Sequence, residues 1–169
     1  MASPFAERRW GSTSSPLRGP MTALAKTSVG SWVVRRSAGV DRRVLHASKG
    51  RFTVLGPIGA PTLLLTTTGA KSGLSRTSPL LYARDGDDIF VVGSNFGQER
   101  HPAWTANLLA NPACTVNTAG AEVDAVATLL DGPERERIYR LFESDVTDVY
   151  SVYRDRTDRE IRVFRLSAT

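Results

Sequence analysis

The chain reads as an α+β protein, a closed or partly closed barrel of about six short antiparallel strands with two to three flanking helices. Two observations carry that reading. From residue 62 onward, short apolar or β-branched runs are joined by compact turns marked by Gly and Asp, the pattern of a meander. Helical patterns interrupt the strands only around 102–111 and 133–143, too seldom for the strand–helix alternation of a parallel sheet.

Residues 1–20 are dense in Ser, Pro, Gly and Arg and lack aliphatic periodicity, so they are expected to form a disordered tail, with Met21 an alternative start. Over 21–48, Leu24, Val29, Trp32, Val33, Val40, Val44 and Leu45 recur near helical spacing among Lys26, Arg35, Arg36, Arg42 and Arg43. That spacing predicts a basic amphipathic segment of one or two helices, broken near Gly39. The barrel domain then occupies 49–169.

After a Gly/Pro turn at 56–61, the run TLLLTTT at 62–68 predicts a buried strand. A turn over 69–73 leads to a second strand at 76–84, Asp85-Gly86-Asp87 marks a hairpin, and a third strand follows at 89–94. A loop over 95–100 delivers Pro102 to a short helix carrying Trp104, Leu108 and Leu109, which ends at Asn111-Pro112. Alternation at 114–117 and 123–130 about the turn 118–121 gives another antiparallel pair. Pro133 opens a charged helix through about Glu143, a less regular stretch holds Tyr150 and Tyr153, and 161–166 forms the last strand.

A chain of 169 residues with 41% hydrophobic and 23% charged residues suits one core. The excess of 22 Lys and Arg over 17 Asp and Glu, a formal charge of +5, favours anionic partners. One cysteine, Cys114, closes no internal disulfide and offers no structural zinc site; it points to a reducing, cytoplasmic compartment and, at mid-strand, to an inert buried thiol. Residues 11–20 are too polar for a secretory signal, and no window approaches the roughly 20 apolar residues that span a bilayer. The expected protein is soluble, or attached to one face of a membrane.

Three constellations can carry chemistry. Residues 69–76, GAKSGLSR, put Lys71, Arg76, small hydroxyls and two glycines on one turn, where backbone N–H groups and both cations can meet an anion. An ordinary hairpin with solvated charges is the alternative; the order is not that of a phosphate-binding P-loop, and the turn feeds a strand. Residues 93–97, GSNFG, lead into His101-Pro102-Ala103-Trp104 and Asn107, where a helix N-terminus offers free donors and the indole can cover a planar ring or anchor the core. His101, with only His46 for company, reads as a loop or capping residue. Tyr150 and Tyr153 share a face if their segment is helical, and a phenol can donate to a developing oxyanion or simply close the barrel mouth.

Taken together, LLTTTGAKSG at 64–73, RTSPL at 76–80, SNFG at 94–97 and HPAWTANLLANP at 101–112 closely resemble the deazaflavin-dependent nitroreductase family, over about 61–166. The resemblance implies a split β-barrel of the flavin-binding type and the 8-hydroxy-5-deazaflavin coenzyme F420. It implies that Lys71 and Arg76, with Ala70 and Ser72 beside them, meet the coenzyme's phosphate and glutamyl tail. Thr77, Ser78, Pro79, Leu80 and Leu81, with Val92, Gly93, Ser94 and Asn95, would line its ring and linker. Ala103, Trp104, Thr105, Ala106 and Asn107 would complete the pocket, and Tyr150, then Tyr153, would serve as proton donor on the acceptor side. Ala70 stands where the family usually has Arg, Asn95 where some relatives have Lys, and Thr147 where the best-known nitroreductases have a further Tyr.

The expected reaction is hydride transfer from reduced F420 to a quinone, enone or nitroaromatic, with Tyr150 or Ser94 stabilising the oxyanion. The basic segment at 21–48 offers a route to a lipid-soluble acceptor such as menaquinone, or packs on the barrel instead. An FMN-dependent reductase or oxidase on the same barrel and a non-catalytic deazaflavin carrier are the alternatives. A nucleic-acid-binding barrel is disfavoured because no strand face is both basic and rich in aromatics.

Overall fold

A computed structural model of the chain describes residues 4–6, Thr27 and 61–169. The expected tail and basic helical segment lie outside the described residues, apart from Pro4, Phe5, Ala6 and Thr27. Phe5 is buried in the barrel core, and its carbonyl accepts a bond from the Arg84 guanidinium.

Six strands run β1 Thr62–Thr68, β2 Ser75–Asp85, β3 Asp88–Val92, β4 Ala113–Thr118, β5 Ala121–Leu130 and β6 Val163–Ala168. All pairings are antiparallel, and the ladder closes in the order β1-β2-β3-β6-β5-β4. The fold is therefore the α+β split barrel that the sequence predicts. Three helices accompany it among the described residues: α1 Ala103–Ala110, α2 Gly132–Leu141 and α3 Val149–Asp155. The hairpins sit where the turn chemistry put them, with Gly86 (φ 62) and the pair Ala119-Gly120 (φ 58 and 88) in the left-handed region. The stretch around Tyr150 and Tyr153, expected to be less regular, is helical, and α2 gives way to a π turn at Phe142–Val146. The last strand starts at Val163, two residues later than expected, and β3 ends at Val92, two residues earlier.

Strand side chains alternate across the sheet, so each residue faces either the barrel interior or its outside. Leu63, Leu65, Tyr82, Ile89, Val91, Val116, Phe164 and Leu166 fill the interior, joined by Trp104 and Leu108, one turn apart on α1. Outside, Ala83, Phe90, Val92 and Val163 pack beneath α2, the π turn and α3 through Ile138, Tyr139, Phe142, Val146, Tyr150 and Tyr153. Burial on both faces explains why β3 reads Ile-Phe-Val-Val without alternation. On β5, by contrast, Glu122, Asp124, Val126 and Thr128 are exposed and Ala125 and Ala127 are buried, the pattern of a sheet with one wet face.

Gly93, at the end of β3, is required by packing. Its N–H donates to the Arg162 carbonyl at 2.8 Å, and a Cβ there would lie 2.7 Å from Thr105 Cγ2 on α1. Gly93→Ala is expected to cost about 1–3 kcal/mol by overpacking. Urea unfolding measures it, and adding Thr105→Ser, which removes the opposing methyl, should recover part of the loss; a neutral Gly93→Ala would remove this account of the glycine.

Candidate functional site

The turn between β1 and β2 is fixed from beneath by one buried amide. Asn107 of α1 accepts a hydrogen bond at Oδ1 from the Ala70 N–H (2.9 Å) and donates from Nδ2 to Thr67 Oγ1 (3.0 Å). Within the turn, Gly69 N–H donates to the Leu74 carbonyl and Gly73 N–H to that of Gly69, each at 2.8 Å, with Gly73 at φ 67. A rigid platform results, on which Ala70, Lys71, Ser72 and Arg76 are all exposed. Neither cationic side chain, Lys71 nor Arg76, has a hydrogen bond or ion pair among the described residues.

From this platform β2 leads away along the outside of the barrel. Register pairs Thr66 with Thr77, Leu64 with Pro79 and Thr62 with Leu81, while Ser78 and Leu80 pair with the interior residues Leu65 and Leu63. Thr77, Pro79 and Leu81 therefore share the outer face, and Ser78 and Leu80 point inward. The five expected lining residues of β2 divide between the two faces of the sheet, because side chains alternate along a strand, and Arg76, paired with Thr67, falls on the side of Ser78 and Leu80 at the barrel's end. The outer lane opens on a hydroxyl pair, Thr66 Oγ1 and Thr77 Oγ1 at 2.9 Å, and runs to Leu81, which packs against the helical layer. From Arg76 to Leu81 the strand advances roughly 17 Å.

At the far end of the lane, Val92 joins the helical layer's core and Ser94 is buried. Asn95 and Phe96 take positive φ (46 and 59), in a turn completed by Gly97 (φ 72). A left-handed phenylalanine costs about 1–2 kcal/mol, so something must hold it. Asn95 Nδ2 donates to the Arg100 carbonyl (2.8 Å) and to Gln98 Oε1 (3.0 Å). The Phe96 ring meets Tyr153 edge-on at 5.8 Å.

Tyr150 and Tyr153 sit on α3, ring centroids 5.8 Å apart, and Tyr150 also packs edge-on against Tyr139 (6.1 Å) and Phe142 (5.0 Å). Tyr139 spends its hydroxyl on the Tyr150 carbonyl (2.9 Å). The Tyr150 hydroxyl has no hydrogen-bond partner among the described residues. Burial first, then the neighbouring Tyr153 and Tyr139, pushes its pKa far up, so the phenol keeps its proton. It is a hydrogen-bond donor and not a base.

On α1 the expected pocket residues divide. Ala103 and Ala106 are exposed, Trp104 is a core anchor packed on Phe164 at 5.7 Å, and Thr105 is fully buried. Thr105 Oγ1 donates to the Pro102 carbonyl (2.8 Å) and accepts from Arg162 Nη1 (3.2 Å). Asn107 spends both ends of its amide on the turn. Thr147 ends the π turn, its N–H donating to the Phe142 carbonyl (3.0 Å). Cys114 is buried, and desolvation, helped by Asp124, raises its thiol to about 11, leaving it inert. Burial, then Arg162 and Arg159, holds the His101 imidazole below its ordinary pKa. No sequence pattern marked Arg159, which binds the carbonyls of Gly93 and Ser94; it stands in an irregular stretch among other arginines.

A family model described as F420H(2)-dependent quinone reductase matches residues 32–167. The chain belongs to that family. It is 34% identical over 146 residues to an F420H(2)-dependent quinone reductase of Mycobacterium tuberculosis, which covers 82% of this chain and 97% of that one. The relative in Mycobacterium bovis is identical to the same extent. Among solved structures, an F420-H2 dependent reductase called FDR-A is 38% identical with a TM-score of 0.57, over 63% of this chain and 94% of its own. A second, described as a domain-swapped dimer, is 32% identical with a TM-score of 0.61, over 83% and 100%.

The family member is thus an oxidoreductase whose cofactor is reduced coenzyme F420. The residues present fit an anionic, planar cofactor: Lys71 and Arg76 are exposed cations without a partner among the described residues, and the β2 face with Pro79 and Leu81 reaches the helical layer that holds Tyr150. Asn107→Ala takes the acceptor from the Ala70 N–H and one of two hydrogen bonds from the Thr67 hydroxyl, which keeps its bond to the Arg76 carbonyl, and should cost about 1–3 kcal/mol. Amide exchange at residue 70 should rise with it, and an unchanged exchange rate would show that the turn holds itself.

Proposed function

We propose that the protein transfers a hydride from reduced F420 to a quinone, with Lys71 and Arg76 holding the anionic tail and Tyr150 serving the acceptor. Bound in this way, the coenzyme supplies a two-electron hydride from C5 of its deazaflavin ring. The observation that carries the assignment is the arrangement of charge and protons: free cations at one end of the outer lane and an unengaged, protonated phenol at the other.

Each residue has a separable task. Lys71 and Arg76 draw the anionic end to the platform, and the Asn107 amide keeps that platform from yielding. Thr77, Pro79 and Leu81 offer a mostly apolar strand face to a flat ring. Tyr150 hydrogen-bonds the oxygen of the acceptor as negative charge grows on it, with Tyr153 and Ser94 at its side. An enone or nitro group develops the same oxyanion and is served by the same donor. A lipid-soluble quinone such as menaquinone would be met at a membrane surface through the basic segment 21–48; no helix among the described residues is long and apolar enough to cross a membrane.

Two experiments test this reading. Lys71→Ala and Arg76→Ala should each weaken coenzyme binding about tenfold, the worth of one charge-assisted contact, with the loss shrinking at high salt. Tyr150→Phe should lower quinone turnover by about 10²-fold while leaving coenzyme affinity near wild type. FMN binding in place of F420 would point to a flavin enzyme, and tight F420 binding without menadione-dependent oxidation to a carrier. For the membrane arm, liposome flotation of the full chain against one lacking 21–48 decides; equal flotation counts against it.

A further inference from the structure

The irregular segment between α3 and β6 contributes one side chain to a place that no motif marks. Arg159 donates from Nε to the Gln98 carbonyl (2.7 Å) and from Nη2 to the carbonyls of Gly93 (3.1 Å) and Ser94 (2.6 Å). Its Nη1 lies 3.2 Å from His101 Nδ1. One guanidinium thereby ties both limbs of the 93–101 turn together.

The turn has reason to need such a tie. Its apex strings together three positive φ values at Asn95, Phe96 and Gly97, and no side chain caps it at Ser94. Its own backbone supplies Gly97 N–H to Ser94 O (3.0 Å) and Gln98 N–H to Asn95 O (3.1 Å). It also presses on α3: a Cβ on Gly97 would lie 2.8 Å from the Tyr153 carbonyl, and the Phe96 ring abuts Tyr153. Wherever this turn sits, Tyr153 and its neighbour Tyr150 sit with it.

Arg159 can grip several acceptors because its donors are splayed in a rigid plane, which a lysine cannot reproduce. Burial and the nearby Arg162 work against its charge, while Tyr139 and Glu99 support it. Backbone carbonyls and an uncharged imidazole are what it finds. His101 suits that contact, because burial, then Arg162 and Arg159, disfavours its protonated form.

We propose that Arg159 is a positioning residue for the acceptor side of the site, holding Ser94 and the Phe96–Tyr153 wall in place without touching the coenzyme. The proposal rests on the reductase reading above.

Arg159→Met and Arg159→Lys in the full chain test it. In the methionine variant, the Gly97 and Gln98 amides should exchange about tenfold faster while those of β4 and β5 hold their rates. The quinone KM should rise or kcat fall by about tenfold, with the coenzyme Kd within about twofold of wild type. The lysine variant should lie between the two, and it carries the test if the methionine variant does not fold. Unchanged exchange at 97 and 98 would overturn the proposal, and so would faster exchange with quinone kinetics untouched, since the residue would then be structural only. A wild-type chain that binds no reduced F420 overturns the reductase reading itself, an outcome visible in the titration whatever the exchange data show.

Discussion

Closure of the ladder between β1 and β4 obliges every strand residue to face either the barrel interior or its outer surface, and the site follows from that partition. The interior fills with aliphatic and aromatic side chains and the α1 pair Trp104 and Leu108. The helical layer covers the outside of β2, β3 and β6 only from about Leu81 onward. The first part of the β2 outer face, with Thr77 and Pro79 half-buried, lies outside that layer and begins at the cationic turn. In the proposed reading, a flat cofactor would meet a strip bounded by charge at one end and aromatic rings at the other.

That geometry depends on a division of labour among the arginines. Arg137, Arg140, Arg154 and Arg165 are paired with Asp85, Glu136, Glu143, Asp88 and Glu134 around the helical layer, and Arg154 also lies 4.3 Å over the Tyr139 ring. Most of these pairs are exposed and contribute little each. Their effect is local neutrality around α2 and α3, whereas Lys71 and Arg76 at the first turn have no such partner among the described residues. A net charge of +5 says only that anions are welcome; the unpaired turn is the place proposed for one.

Much of this was legible beforehand, and what escaped did so for physical reasons. Strands β1 to β5 and helix α1 announced themselves through alternation, Gly/Asp turns and Pro102, all local signals. The cationic turn was legible because an anion site needs charge and backbone donors within a few residues. Which members of 77–81 face outward needed the register, a long-range property that one strand's sequence leaves open. Trp104 was ambiguous because an indole suits a core and a ring-binding face equally, and its packing on Phe164 in the interior is a long-range contact that spacing does not show. Asn107 and Arg159 act on backbone groups 37 to 66 residues away, a donor for the first and acceptors for the second, and backbone groups have no sequence signature. Family resemblance supplied the cofactor; spacing alone had left an anion and a planar ring.

The two ends of the lane also differ in solvent access, and the chemistry benefits from the difference. At the turn, Lys71 and Arg76 are exposed, so the attraction proposed for an anionic tail would be screened and reversible, as suits a coenzyme that must leave to be reduced again. At the helical layer, Tyr150 is buried among Tyr139, Phe142 and Tyr153, where a hydrogen bond to a growing oxyanion is worth more than it would be in water. The same burial that raises the phenol's pKa keeps it from ionising when the acceptor is absent. In the proposed reading, binding strength at one end and stabilisation of developing charge at the other can therefore change independently, because Lys71 and Arg76 belong to the β1–β2 turn and the start of β2 whereas Tyr150 belongs to α3.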